Sequence, residues 1–271
     1  MIKDITIGQY FIGNSFLHKM DARMKILLTF AFLVSIFICK NIPSLILMVV
    51  ATAFLIALSK VPFKMVMKSV KPIAIVVIFT GFLNLFYVRG GETLFEWSFI
   101  HITTKGIYTA IFMAIRIICL VIISSLLTYT TTPTMLTDAI ERLLSPLKIF
   151  KVPVHTLAMM MTLALRFIPT LIEEIDRISN AQKARGADLD SGSFTEKIKA
   201  LIPIIVPLFV SSIRRAYELA DAMDCRCYIG GEGRTRMKQM KLKVSDFMAL
   251  AVTAVIIAGL VVLNIVFKNL I

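Results

Sequence analysis

Between Gly106 and Tyr129 the chain runs 24 residues with a single charge, Arg116. About 20 apolar residues are enough for a helix to cross the hydrocarbon core of a bilayer. Inside that core only helices and closed barrels satisfy their own backbone hydrogen bonds. A segment of this kind commits the chain to membrane-spanning helices. Val244–Phe267 is a second, and Met24–Cys39, Pro43–Leu58 and Pro72–Val88 complete a set of about five expected spans. The composition agrees: 58% of the 271 residues are hydrophobic and the mean hydropathy is +0.83, far above a soluble domain of this size.

The charges orient these spans. The formal net charge is +13, and the cations flank apolar runs, which favours loops beside a membrane surface over a nucleic-acid partner. Lys3, Lys19, Arg23 and Lys25 lie in the N-terminal arm and at the very start of the first span, and Lys60, Lys64, Lys68 and Lys71 separate the second from the third. Both groups are expected in the cytoplasm, with the N-terminus. The Lys40 turn and the Arg89–Lys105 segment, which carries Trp97, then lie outside. The expected organisation is an N-terminal arm with four spans over residues 1–130, a cytoplasmic domain over 131–243, and a last span over 244–271. No cleavable signal peptide is read in the first 23 residues, which are mixed and polar.

The cytoplasmic segment is partly apolar. Val154–Ile172 and Ala200–Ile213 each run on into charged sequence, EEIDRISNAQKARG and RRAYELADAMDCRC. Read as continuous helices, Pro153–Arg185 and Glu196–Arg226 are each about 50 Å long, with Pro169, Pro203 and Pro207 bending them. Ile168, Leu171, Ile172, Ile175 and Ile178 form one face at helical spacing. The alternative is two further spans ended by ordinary stop charges. Two long amphipathic helices against the membrane are preferred, because both arginine-bearing ends then share the cytoplasmic side. Those ends are Ala184-Arg185-Gly186 and Cys225-Arg226-Cys227. Gly186, and Gly230-Gly231 after Arg226, are the expected helix stops. An arginine between small residues can enter a narrow groove and take a carboxylate in two parallel hydrogen bonds.

Other chemistry is missing from the pattern. No Gly-x-x-x-x-Gly-Lys-Ser/Thr loop is present, and GGEGRTR (Gly230–Arg236) reads as a turn. Glu173-Glu174 reads as a solvated or ion-paired helix face, and Asp188 and Asp190 as loop residues. Cys39 and Cys119 sit in apolar runs. Cys225 and Cys227 are far in sequence from His18, His101 and His155, so neither a metal site nor a cofactor is expected. Arg116, inside a span, is expected to face the bundle interior or snorkel toward an interface, either in a structural role, paired with a backbone carbonyl or with Asn84 of the third span, or in a functional one. No Asp or Glu stands in the middle of a span, which weakens the rival reading of a stand-alone carrier or channel. An ordinary importer permease would carry one coupling loop rather than two arginine-tipped helices.

The stretch IGQYFIGNSFLHKMDARMKIL (Ile7–Leu27) contains Gly8, Tyr10, Ser15, His18, Asp21, Arg23 and Lys25. With Ala184-Arg185-Gly186 and Cys225-Arg226-Cys227-Tyr228, it resembles the transmembrane coupling subunit of energy-coupling factor importers, the EcfT/CbiQ family. That family usually has Pro where Ala22 stands, and Ala-Arg-Gly where Cys225-Arg226-Cys227 stands. The resemblance implies a non-enzymatic subunit in the plasma membrane of a prokaryote. It implies that two cytosolic ABC-type ATPases bind the two arginine tips. A small substrate-binding membrane subunit, the S-component, would lie on the apolar halves of the long helices, with Met159, Met160, Leu163, Ile204 and Leu208 as contacts. ATP-driven motion would then serve uptake of a vitamin or other micronutrient. Methionine-rich surface such as Met159-Met160-Met161 suits partners of several shapes.

Overall fold

The computed structural model describes residues 10–88, 90, 93–97, 100–187, 193–230, 240 and 242–267. Lys3, Gly8, Arg89, Asp188, Asp190 and the glycine-rich stretch at 231–236 lie outside the described residues. The helices are α1 (Phe16–Lys19), α2 (Ala22–Ile38), α3 (Ile42–Ser59), α4 (Phe63–Val70), α5 (Ala74–Tyr87), α6 (Thr104–Thr130), α7 (Pro133–Leu143), α8 (Val154–Ala184), α9 (Phe194–Asp224) and α10 (Val244–Val266). The described residues form two compact units: one comprises residues 10–139 with 240–267, the other residues 140–230.

The helix starts follow from local sequence. Asp21 caps α2 through its carboxylate, which accepts from Arg23 N at 2.9 Å. Asn41 opens α3: Asn41 N donates to Ser44 Oγ at 3.2 Å, and the Ser44 hydroxyl returns to Asn41 O at 2.6 Å. Pro43 then sits in the first turn, where its missing N–H costs nothing. Thr103 caps α6 by accepting from Gly106 N at 3.1 Å.

Among the described residues five helical stretches are long and apolar enough to cross a membrane: Ile42–Ser59, Phe63–Tyr87, Thr104–Thr130, Val154–Ala184 and Val244–Val266. Four contain or overlap expected spans. The remaining expected span, Met24–Cys39, is the 17-residue α2, about 26 Å long. The fifth stretch is α8, whose first half is the apolar Val154–Ile172. The core of the first unit is built from α2, α3, α6 and α10 around Phe32, Ile36, Met48, Phe112, Ile123 and Leu260. Phe30 and Val255 face outward, 66% and 71% exposed. In water such residues would be a liability; against lipid tails they are the required surface.

Two segments depart from the sequence reading. The four-lysine segment between the second and third spans is not a plain loop: Lys64 and Lys68 ride on α4, a short amphipathic helix. Val66 is the buried side of that helix and both lysines are exposed; the period is helical, but eight residues are too few to stand out from sequence. The Arg89–Lys105 connection contains an antiparallel hairpin, β1 (Thr93–Trp97) with β2 (Ile100–Thr103), Phe95 opposite Ile102 and Trp97 opposite Ile100. Among the described residues every other regular element is helical.

Arg116 finds a backbone carbonyl. Its guanidinium donates to Cys39 O at the carboxyl end of α2, where the helix dipole is negative. It also lies 4.8 Å from the centre of the Phe112 ring, a cation–π contact. Asn84 instead donates to Thr80 O at 2.8 Å on its own helix. Arg116 therefore closes the end of a helix.

Candidate functional site

Both arginine tips are built by the same helix ending. In α8, Gly186 N donates to Lys183 O at 3.0 Å and Ala187 N to Gln182 O at 3.0 Å. In α9, Cys227 N donates to Asp224 O at 2.9 Å and Tyr228 N to Met223 O at 3.1 Å. Each pair is a Schellman cap, in which the chain turns back through one residue of left-handed backbone. That residue is Gly186 at φ 86° in the first tip and Cys227 at φ 56° in the second. Arg185 and Arg226 occupy the same position of the cap, one residue before the turn. The sequence reading placed the second stop at Gly230-Gly231; the helix turns three residues before Gly230, on Cys227.

Ala184, Arg185, Gly186, Cys225, Arg226 and Cys227 are all exposed. Among the described residues neither guanidinium has a hydrogen-bond or ion-pair partner. Each sits at the negative end of a helix dipole, which favours the cation without occupying its fork of donors.

Gly186 has open space around it, so glycine is needed there for its backbone angle alone. Cys227 adopts the same region with a side chain, at a cost of about 1 kcal/mol. Cys227→Gly is accordingly expected to tighten the second tip by about that amount. Hydrogen exchange over residues 221–230 should slow roughly fivefold at the amides closing the cap; an unchanged rate would refute the strain.

Three contacts set α8 and α9 side by side and antiparallel. Gln182 Nε2 donates to Pro203 O at 3.3 Å. Arg215 pairs with Glu174 midway. Tyr228 Oη donates to Met159 Sδ at 3.0 Å. The end of each helix thus lies beside the beginning of the other. In this register Arg185 lies beside the stretch just before Pro203, so Arg185 and Arg226 stand about 36 Å apart along the pair, toward its opposite ends.

The apolar residues named from sequence are distributed unevenly over this pair. Met160 is exposed, while Met159, Leu163 and Leu208 are half-buried. Ile204 is buried, 6% exposed, next to the Pro203 carbonyl that Gln182 reaches. The open apolar face of α9 is carried by neighbours such as Ile202, Ile205, Val206 and Phe209.

The opening motif assembles elsewhere, in the first unit. Ser15 caps α1 and its hydroxyl lies 2.6 Å from His18 Nδ1. His18 Nε2 is 2.9 Å from Phe11 O; a carbonyl only accepts, so Nε2 carries a proton and donates it there. Phe11 N in turn donates to Tyr129 O at 2.9 Å, and the Tyr10 ring meets the His18 ring edge-on. Asp21 holds Arg23 through two donors, at 3.1 and 2.8 Å. Lys25 is buried, and Nζ donates to Thr130 O at 2.8 Å, Thr131 Oγ1 at 3.3 Å and His18 O at 3.5 Å. These residues fasten the arm, the start of α2 and the end of α6 together.

Two members of that cluster escaped the sequence reading. Asp246 is fully buried and accepts from Asp21 N at 3.2 Å and Lys243 N at 2.8 Å. Its signal was an acid in the first turn of the last span. Gly13 packs where a Cβ would come within 3.0 Å of the His18 ring, which periodicity does not reveal. Among the described residues no group of three His, Cys, Asp or Glu could hold a metal.

Comparison with known proteins bears on the whole chain. A family described as cobalt transport protein, CbiQ, matches residues 13–237. The energy-coupling factor transporter transmembrane protein EcfT of Ruminiclostridium cellulolyticum is 52% identical over 267 residues, 98% of this chain and 100% of that protein. The EcfT protein of Clostridium kluyveri is 54% identical over 250 residues, 92% and 93% of the two chains. That of Bacillus subtilis is 42% identical over 260 residues, 96% and 98%. With its membrane-length apolar helices and matches over nearly its whole length, the chain belongs to the CbiQ/EcfT family of energy-coupling factor transporter transmembrane components.

Proposed function

We propose that this subunit couples two cytosolic ABC-type ATPases to a small membrane-embedded S-component, for uptake of a vitamin or other micronutrient. The observation that carries this reading is the pair of matching caps at opposite ends of α8 and α9, each presenting an exposed, unpartnered guanidinium. One tip serves one ATPase: the guanidinium enters a groove and pairs with carboxylates there. ATP hydrolysis belongs to those partners, and this chain transmits motion. The open apolar faces of the long helices receive the S-component. In this reading residues 131–243 form the coupling domain, and the N-terminus lies in the cytoplasm of a prokaryotic cell.

A pull-down from detergent-solubilised host membrane tests the proposal. Two ATPase subunits and a small hydrophobic protein should accompany the chain. Recovery of the chain alone, with transport intact, would replace this reading with a stand-alone carrier.

A further inference from the structure

The first unit holds a cavity of about 240 Å³ between α2, α3, α6 and α10. Its floor is buried: Phe32, Ala51, Ile123 and Leu126. Its lip is open, with Phe54 53%, Met248 56% and Val252 50% exposed. We infer that this slot is a binding site for one acyl chain of a bilayer phospholipid.

The wall offers a ligand almost nothing polar. The Thr130 and Thr253 hydroxyls are turned back onto carbonyls of their own helices, Leu126 O and Ala249 O, each at 2.8 Å. Lys25, at one end, has three ammonium hydrogens and three acceptors, His18 O, Thr130 O and Thr131 Oγ1. It has no donor left for a headgroup or a soluble anion. The half-buried Thr29 is the remaining polar side chain of the wall. A polar solute entering here would lose its hydration unrecompensed. Hydrocarbon loses nothing.

The dimensions choose the kind of hydrocarbon. The slot runs along the helices, from Lys25 to Phe32 on α2 and from Thr130 to Ile123 on α6, about 10 Å at 1.5 Å per residue. An extended carbon chain advances about 1.2 Å per bond, so eight or nine bonds fill that length. Each water-sized group takes about 30 Å³, so the volume holds about eight methylenes. Length and volume agree on the terminal half of a lipid tail. The helices around it are long and apolar enough to sit in a bilayer, where such tails are the solvent.

The test is native mass spectrometry of the full chain released from mild detergent after reconstitution in phosphatidylcholine nanodiscs. Ala51→Phe and Ala249→Phe each fill the slot from a different wall. Val255→Phe, on an exposed position outside it, is the control. Wild type and Val255→Phe should retain one phospholipid, and the filled variants should retain at least tenfold less. Equal retention in the filled variants overturns the site, as does loss in the control, which would mark ordinary boundary lipid. If the filled variants cost the chain a co-purifying membrane protein while lipid is retained, a side chain of that partner occupies the slot and the inference fails. A second readout stands without the filled variants: Phe54→Trp in a Trp97→Phe background should be quenched by phosphatidylcholine brominated on its tails, beyond the quenching of a tryptophan at Val255. Equal quenching at the two positions overturns it.

Discussion

Glutamate at both tips, Arg185→Glu with Arg226→Glu, is expected to abolish capture of the ATPases while leaving the chain in the membrane. Each arginine is exposed and unpartnered in the free chain, so its loss leaves the fold intact. In a complex the effect is large, because truncating one partner of a desolvated charge pair costs about 2–5 kcal/mol, a factor of about 30 or more in affinity. Reversal adds repulsion to that loss. The single variants should be graded rather than silent: with one tip engaged, the second binds intramolecularly, and losing it forfeits that gain. Co-purified ATPase and ATP-dependent uptake are the readouts. Undiminished uptake in the double variant would end the coupling reading of both tips.

Lys25→Met should be the most damaging single change to stability in the first unit. The ammonium is buried, holds two oxygens at the end of α6 and the His18 carbonyl, and lies in the field of Asp21 and Asp246. Removing one member of a buried polar set leaves the others uncompensated, at about 3–5 kcal/mol. For a chain of this length that corresponds to a fall of roughly 10 °C in the thermal midpoint in detergent. Arg23→Met supplies the comparison. In its pair with Asp21 the arginine side chain is 20% exposed and the carboxylate side chain 3%, so water can reach the site that Arg23 vacates and the fall should be smaller than for Lys25→Met. Equal effects of the two substitutions would contradict the assignment of Lys25 as the buried anchor.

What sequence could convey follows the range of the physical signal. Apolar runs of membrane length need no partner to be recognised, so α3, α6 and α10 were legible at nearly their true bounds. The two 31-residue helices were legible because charge and hydrophobicity change along a continuous helical period. Short elements were not: α4 has eight residues and the hairpin strands five and four, too few for a period to emerge from noise. Three-dimensional choices were also hidden. Composition pointed to the glycine pair as the second stop, and only the family's Ala-Arg-Gly at this place hinted that Cys227 takes the left-handed turn. Nothing local says that Ile204 faces inward while Ile205 and Val206 stay open. Two of the three acceptors of Lys25 come from residues more than a hundred positions away, which no window along the chain can see.

The antiparallel register of α8 and α9 has a symmetry consequence. Two like helices running in opposite directions, each ending in the same cap, are related by an approximate two-fold axis across the pair. One polypeptide thereby imitates a homodimer, and can meet a two-fold pair of like subunits with the same hand at either end. At the tips themselves the likeness is broken at the residue that turns. One end turns on a glycine and the other on a strained cysteine, so a partner gripping both ends meets one relaxed tip and one that already stores about 1 kcal/mol.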